Sequence, residues 1–198
     1  EFHLNHDDIL EWFMSPLTNR RDDEYGGSFE NRMRIVMEIL RAAREITGDA
    51  FTIGVRLNMF EEMPGGYDLA GGIEIAQYLE ASGLIDFVSL VVGSNWGNPS
   101  YIQPQVFAPA EWADLSAVYA KALSLPIAYT GRVTTPAVAE AIPTSVSAPG
   151  QSADSNASHG REYLSSASRT SGRERRQVTR VSVLLRYHRL IRIWIHLR

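Results

Sequence analysis

Three short apolar runs, "FTIGVRLN" (51–58), "IDFVSLVVG" (85–93) and "PIAYTGRV" (126–133), punctuate the first two-thirds of the chain, with helix-like spacing between them. Strands linked through helices must run parallel, because each crossover returns the chain to the same end of the sheet. That pattern predicts an α/β protein whose sheet is covered by helices.

The intervening segments carry their own boundaries. Ser28 is a good N-cap for a helix over 28–47, which sets Phe29, Met33, Val36, Met37 and Leu40 on one face and ends at Gly48. The loop "MFEEMPGGYDLAGG" leads to a helix over 73–82 closed by Gly83. A polar and aromatic loop (94–108) precedes a helix over 109–123, and Thr135 with Pro136 starts another short helix.

A closed barrel and an open sheet both fit this order. No G-x-G-x-x-G or G-x-x-x-x-G-K-[ST] stands at a strand-to-helix turn, so the open nucleotide-binding sheets lose their best support. In a barrel the active site lies at the strand C-terminal ends, which here offer His3, His6, Arg56, Asn58, Gly93 to Asn95, Gly131 and Arg132.

Charge divides the chain. Of 19 basic side chains, 9 fall in residues 1–142 against 20 acids, whereas 143–198 holds 10 Arg and 3 acids. The latter segment is rich in Ser and has no sustained period, which predicts a tail unable to order itself by apolar burial. Its end, "VTRVSVLLRYHRLIRIWIHLR", has the composition of a basic amphipathic helix or strand. The absence of cysteine excludes disulfides and Cys-ligated metals in this chain and suits a cytoplasmic setting. No apolar run is long enough to span a bilayer, and "EFHLNHDDIL" lacks the features of a signal peptide and reads as an internal start.

The stretch "SPLTNRRDDEYGGSFENR" (15–32), followed in order by "GVRLN", "GGIEIAQYLEASGLIDFVSLVVG" and "PIAYTGRV", resembles the Old Yellow Enzyme family of FMN-dependent NADH:flavin oxidoreductases. Within it the pattern looks most like the branch of dienoyl-CoA reductases and amine dehydrogenases. The resemblance covers residues 1–142 and implies a partial TIM (β/α)8 barrel, from the end of strand four to helix seven. It also implies FMN as cofactor, NADH or NADPH as reductant, and hydride transfer to an activated alkene or related small-molecule substrate. Amine-oxidising relatives run the transfer from substrate to flavin.

Site residues follow from the same resemblance. His3 and His6 match the pair that hydrogen-bonds a substrate carbonyl oxygen, which implies a catalytic role. Ser94 stands in "GSNWG" where the amine-oxidising branch supplies an acid. Arg56 matches the arginine that lies against the flavin N1 and C2 oxygen. As a cation in an apolar strand it needs an anionic partner, and an interior salt bridge to a carboxylate is the alternative. Gly131 and Arg132 match a phosphate-binding turn, a plain turn being the alternative. No metal site is expected.

Asn19, Arg20, Arg21, Asp23, Glu24 and Arg32 read as a structural loop bracing the barrel mouth; a merely solvated approach to the helix would show no fixed pairing. Trp96, Tyr101 and Phe107 read as part of a substrate-covering loop or as packing beneath it. The composition break after Ile142 suggests a fragment with a frameshifted or unstructured tail. We therefore expect impaired flavin binding and self-association through uncovered barrel edges. The competing readings are nucleic-acid or anionic-surface binding through the Arg-rich tail, and a noncatalytic barrel remnant.

Overall fold

The computed structural model describes residues 1–95, 101–142 and the backbone of 181–183. The readings made for Trp96 and for the rest of the 143–198 tail lie outside the described residues. Five strands, β1 (Phe2–Leu4), β2 (Gly54–Asn58), β3 (Phe87–Val91), β4 (Ile127–Tyr129) and β5 (Val181–Val183), form one sheet in the order β1-β2-β3-β4-β5. Every pairing is parallel. The helices α1 (Ile9–Met14) and α2 (Phe29–Thr47) connect β1 to β2, α3 (Leu69–Ala81) connects β2 to β3, and α4 (Ala113–Ala122) connects β3 to β4. The short α5 (Pro136–Ala141) follows β4.

Sequential parallel strands with right-handed crossovers put every helix on the same face, which is the arrangement of a barrel wall. A doubly wound sheet would reverse its strand order. Register makes the two faces explicit. Leu4, Leu57, Leu90 and Tyr129 lie in one row across the sheet, and Phe2, Val55, Val88 and Ile127 in another. Apart from the partly buried Phe2, which packs against it, both rows belong to the core shared with Met33, Val36, Met37 and Leu40 of α2 and with Ile75, Ala76 and Leu79 of α3. Strand alternation turns the row between them, His3, Arg56, Ser89 and Ala128, to the opposite face.

Local chemistry fixes the helices. The Ser28 hydroxyl accepts from the Asn31 N–H, and Gly48 ends α2 at φ 73°. The α3 helix starts four residues before the predicted boundary, because Asp68 caps it by accepting from Gly71 N–H. The Gly71–Gly72 pair that reads as a loop is helical, and Gly72 is small for a reason. A Cβ there would lie 2.2 Å from the Tyr119 hydroxyl and 2.3 Å from the Met59 carbonyl oxygen, which are themselves hydrogen-bonded at 2.7 Å. Conversely, α4 begins later than predicted, since Ala110 adopts a left-handed φ of 53° and donates its N–H to the Arg132 carbonyl. The α1 helix, six residues long, has no sequence period by which to be seen.

The charged loop before α2 is fixed rather than solvated. The Asn19 amide donates to the Phe13 and Tyr25 carbonyls at 2.6 and 2.7 Å, and the Arg21 guanidinium pairs with the Asp23 carboxylate. Arg32 reaches from α2 to the Met14 carbonyl (2.9 Å) and the Gly27 carbonyl (2.6 Å), while Arg34 donates to the Glu24 carbonyl. These bonds tie the end of α1 to the start of α2.

Candidate active site at the strand C-terminal ends

Because the strands are parallel, their C-terminal ends share one edge of the sheet. Asn5, His6 and Asp7 follow β1, Asn58 ends β2, Val92 to Asn95 follow β3, and Thr130 to Arg132 follow β4. Among the described residues, this edge collects buried polar atoms that lack hydrogen-bond partners: both amide atoms of Asn5, His6 Nε2, Arg56 Nε, Gln103 Oε1 and Thr130 Oγ1. Buried polar groups in folded proteins are almost always paired. A cluster of exceptions at one edge has the character of a ligand-facing wall.

His3 and Arg56 are register partners on the inward row. The Arg56 Nε lies 3.1 Å from Glu1 Oε1, close enough for an ion pair but without the angle of a hydrogen bond. The interior salt bridge raised as an alternative for Arg56 therefore exists, and it leaves the Nε hydrogen unbonded. His3 Nε2 lies 2.9 Å from the Asp8 carboxylate. The two imidazoles stand edge-on with ring centres 5.5 Å apart, and Tyr101 tilts against His6 at 5.1 Å. Burial pushes the His6 pKa down to about 4, helped by the positive charges of His3 and Arg56 and opposed by Asp7. His6 is thus a neutral imidazole near neutral pH.

An unusual turn sets the direction of that ring. His6 and Asp7 adopt successive left-handed φ angles of 60° and 59°, a conformation disfavoured for side chains other than Gly and tolerated best by Asn, Asp and His. The Asp7 carboxylate holds the turn from one side by accepting from Ser94 Oγ (2.7 Å) and Asn95 N–H, and the Asn95 amide donates to the His6 carbonyl. The loop after β1 is thereby stapled to the loop after β3. Asn58 adds a second tie, donating to the Gly93 carbonyl and accepting from its N–H, each at 3.2 Å.

Gly131 and Arg132 sit at the end of β4. Arg132 has φ 46° and donates a guanidinium N–H to the Phe107 carbonyl at 2.8 Å. A Cβ on Gly131 would come within 2.6 Å of the Tyr129 hydroxyl, so glycine here makes room for that side chain. Phe107 packs on Trp112, the role of a residue beneath the loop, whereas Tyr101 is the aromatic that reaches a site side chain. Sequence reasoning missed Asp7, Glu11 and Tyr67. Asp7 and Glu11 follow the histidines by one and five positions, but nothing in their spacing distinguishes them from ordinary surface acids.

The model of the NADH:flavin oxidoreductase / NADH oxidase family matches residues 1–149. The chain belongs to this family. Enzymes of the family are FMN-dependent oxidoreductases that use NADH or NADPH. A protein from Rhizobium meliloti (strain 1021) named "Probable N-methylproline demethylase" is 47% identical over 85 residues, covering 43% of this chain and 12% of that protein. The NADH oxidase of Thermoanaerobacter brockii is 35% identical over 142 residues, covering 72% of this chain and 22% of the oxidase. Among solved structures, a 2-naphthoyl-CoA reductase complex superposes with a TM-score of 0.65 at 34% identity, over 69% of this chain and 21% of the reductase. The histamine dehydrogenase of Rhizobium sp. 4-9 does so with a TM-score of 0.60 at 29% identity, over 69% of this chain and 20% of the dehydrogenase. The chain thus spans about a fifth or less of these proteins, and its fold is a partial (β/α)8 barrel.

The residues present suit FMN. A flat, polar and anionic cofactor needs a cation and several polar groups on an inward face; Arg56, ion-paired with Glu1 but with its Nε hydrogen unbonded, and the buried, unbonded His6 Nε2 and Asn5 amide offer groups of that kind. The Arg132 charge stands at the end of β4, beside Gly131, whose missing side chain makes room for the Tyr129 hydroxyl. Among the described residues, no group of three or more His, Asp or Glu could hold a metal ion, and no helix is long and apolar enough to cross a membrane.

Proposed function

We propose that this chain forms the sector of an FMN-dependent oxidoreductase barrel that grips the polar edge of the flavin and the oxygen of an activated alkene or related acceptor. When bound, FMN supplies the hydride chemistry, with NADH or NADPH as reductant. The observation supporting this reading is that His3 and Arg56, paired on the inward row, lie beside His6 and other buried, unbonded polar atoms at the C-terminal end of a parallel sheet.

In this reading His3 and His6 donate N–H groups to the substrate oxygen and stabilise charge that develops there. Arg56 supplies the positive charge against the cofactor's anionic edge, and Gly131 with Arg132 approaches its phosphate. Tyr101, already against His6, covers the substrate side. A flavin held by the described five-strand wall alone would have fewer contacts than a closed barrel supplies, so this chain by itself is expected to bind it weakly. Self-association through β1, the outermost of the described strands, belongs to the same reading of this chain taken by itself. A cysteine-free chain of this kind suits the cytoplasm.

The test is NADH- or NADPH-driven reduction of a simple cyclic enone by the full chain at saturating FMN. Slow turnover that is lost in His3→Ala and His6→Ala supports the reading, whereas turnover unchanged by both substitutions would sink it. A second reading, oxidation of an N-alkyl amine, is supported by the 47% identity to the protein named for N-methylproline demethylation. Reduction of FMN by N-methylproline without NADH would favour it. The Asp7 carboxylate is already occupied by Ser94 and Asn95, which leaves the amine reading without a free acid on that loop.

A further inference from the structure

Behind the His6–Asp7 turn lies a buried carboxylate that the proposed chemistry does not use. Glu11, on α1, is 1% exposed. One of its oxygens accepts the Asp7 N–H at 2.6 Å and the other accepts the Tyr67 hydroxyl at 2.7 Å. Tyr67 lies on the β2–α3 connection, and its hydroxyl is 3.5 Å from the Asn58 carbonyl. The Tyr67 N–H donates to Glu61, which also receives the Ser15 hydroxyl. A single acid therefore joins the loop after β1 to the loop after β2, beneath the two left-handed residues that aim the imidazole.

We infer that Glu11 is a positioning residue for His6, holding the strained His6–Asp7 turn through the Asp7 N–H while Tyr67 fixes the carboxylate from behind. The inference rests on the reading of His6 as a substrate-facing group, but the coupling itself is a property of the folded chain. Turns with successive left-handed residues persist only where their surroundings over-determine them. Here the Asp7 side chain is held from above by Ser94 and Asn95, and its backbone from below by Glu11. A charge-assisted bond to a buried carboxylate is about twice as strong as a neutral one. Glu11 is thus the stronger grip when ionised and a weaker one when protonated.

The groups facing Glu11 are few. Asp7 and Tyr67 bond it directly, Asn58 also acts on it by hydrogen bonding, and Glu61 is the nearby like charge. Burial raises the Glu11 pKa to about 7, so its protonation changes in an accessible range. Gln at position 11 can still accept from Asp7 N–H and can donate to the Tyr67 oxygen, whereas Leu can do neither.

The test is amide and imidazole NMR of the isotope-labelled full chain, titrated from about pH 5 to about pH 9 across the Glu11 ionisation. In the wild type the Asp7 amide proton is expected to move with a midpoint near 7, with the His6 ring signals shifting in step. In Glu11→Gln that midpoint disappears while the turn stays protected. In Glu11→Leu the Asp7 amide exchanges at least about tenfold faster and the His6 titration climbs toward its ordinary value. An Asp7 amide that does not titrate in the wild type, or one that still titrates near 7 in Glu11→Gln, overturns the inference. If Glu11→Leu does not fold, the wild-type and Gln titrations decide. None of these readouts needs flavin or substrate, so failure of the catalytic reading is separable from failure of the coupling.

Discussion

His3 and Arg56 stand opposite each other across the β1–β2 ladder, on the row that also carries Ser89 and Ala128. That row faces away from the helices, so its polar members are not failures of core packing. They are the inner wall of a barrel sector. On the neighbouring rows, Leu4, Leu57 and Leu90 are fully buried, and the alternation separates structure from chemistry residue by residue.

His6 will titrate far below an ordinary histidine. Its pKa of about 4 arises mainly from burial, with His3 and Arg56 adding to the effect. A group whose folded pKa is lowered contributes stability that is complete above its unfolded value of 6.5 and is lost as pH falls through 4. Imidazole NMR checks the midpoint. The His6→Gln variant should lose less stability than the wild type on acidification through this window.

Glu11 has the opposite sign. Its folded pKa is raised from 4.5 to about 7 because burial outweighs the hydrogen bonds that favour the ionised form. Although the carboxylate grips the Asp7 N–H more firmly, its net contribution to stability is therefore fully present below 4.5 and is lost as pH rises through 7. Relative to Glu11→Gln, the wild type is expected to lose on the order of 3 kcal/mol across that interval. Urea unfolding of both proteins at the two ends of the window measures the difference.

Gly72→Ala tests the packing of α3 on the sheet. The added methyl would collide with the Tyr119 hydroxyl and the Met59 carbonyl. Relieving the clash breaks or stretches the hydrogen bond between them, for a combined loss of about 2–4 kcal/mol. Denaturant midpoints check it. Gly71→Ala, whose Cβ meets only its neighbours at 3.0 Å and beyond, is expected to cost less.

Arg32→Ala removes two donors, to the Met14 and Gly27 carbonyls. We expect a loss of about 1–3 kcal/mol, together with faster amide exchange in residues 15–28. A shift of less than about half a kcal/mol would mean that the charged loop is solvated rather than braced.

Much of this fold is legible in the sequence because parallel strands buried against helices must be apolar, and helix ends need caps. Ser28, Gly48 and Thr135 mark their boundaries by local chemistry alone, and Thr135 does accept from Val138 N–H as its position suggests. The α3 start was hidden because Gly71 and Gly72 signal a loop locally, and only the packing of Met59 and Tyr119 explains Gly72. The histidines and Arg56 stand out by type and by family pattern. Asp7, Glu11 and Tyr67 do not, since their significance comes from contacts between loops that are distant in sequence: Tyr67 meets Glu11 across 56 residues. Within the Arg-rich tail, the three residues Val181–Val183 form a strand beside β4, within the segment read as a basic helix or strand.

The most direct test of the central claim is a flavin fluorescence titration of the full chain, comparing wild type with Arg56→Gln. We expect weak but saturable quenching of FMN by the wild type, weakened about tenfold, or about 1.4 kcal/mol, in the variant. A folded wild-type chain that leaves FMN unquenched, or equal binding by both proteins, would contradict the assignment of this strand edge to the flavin.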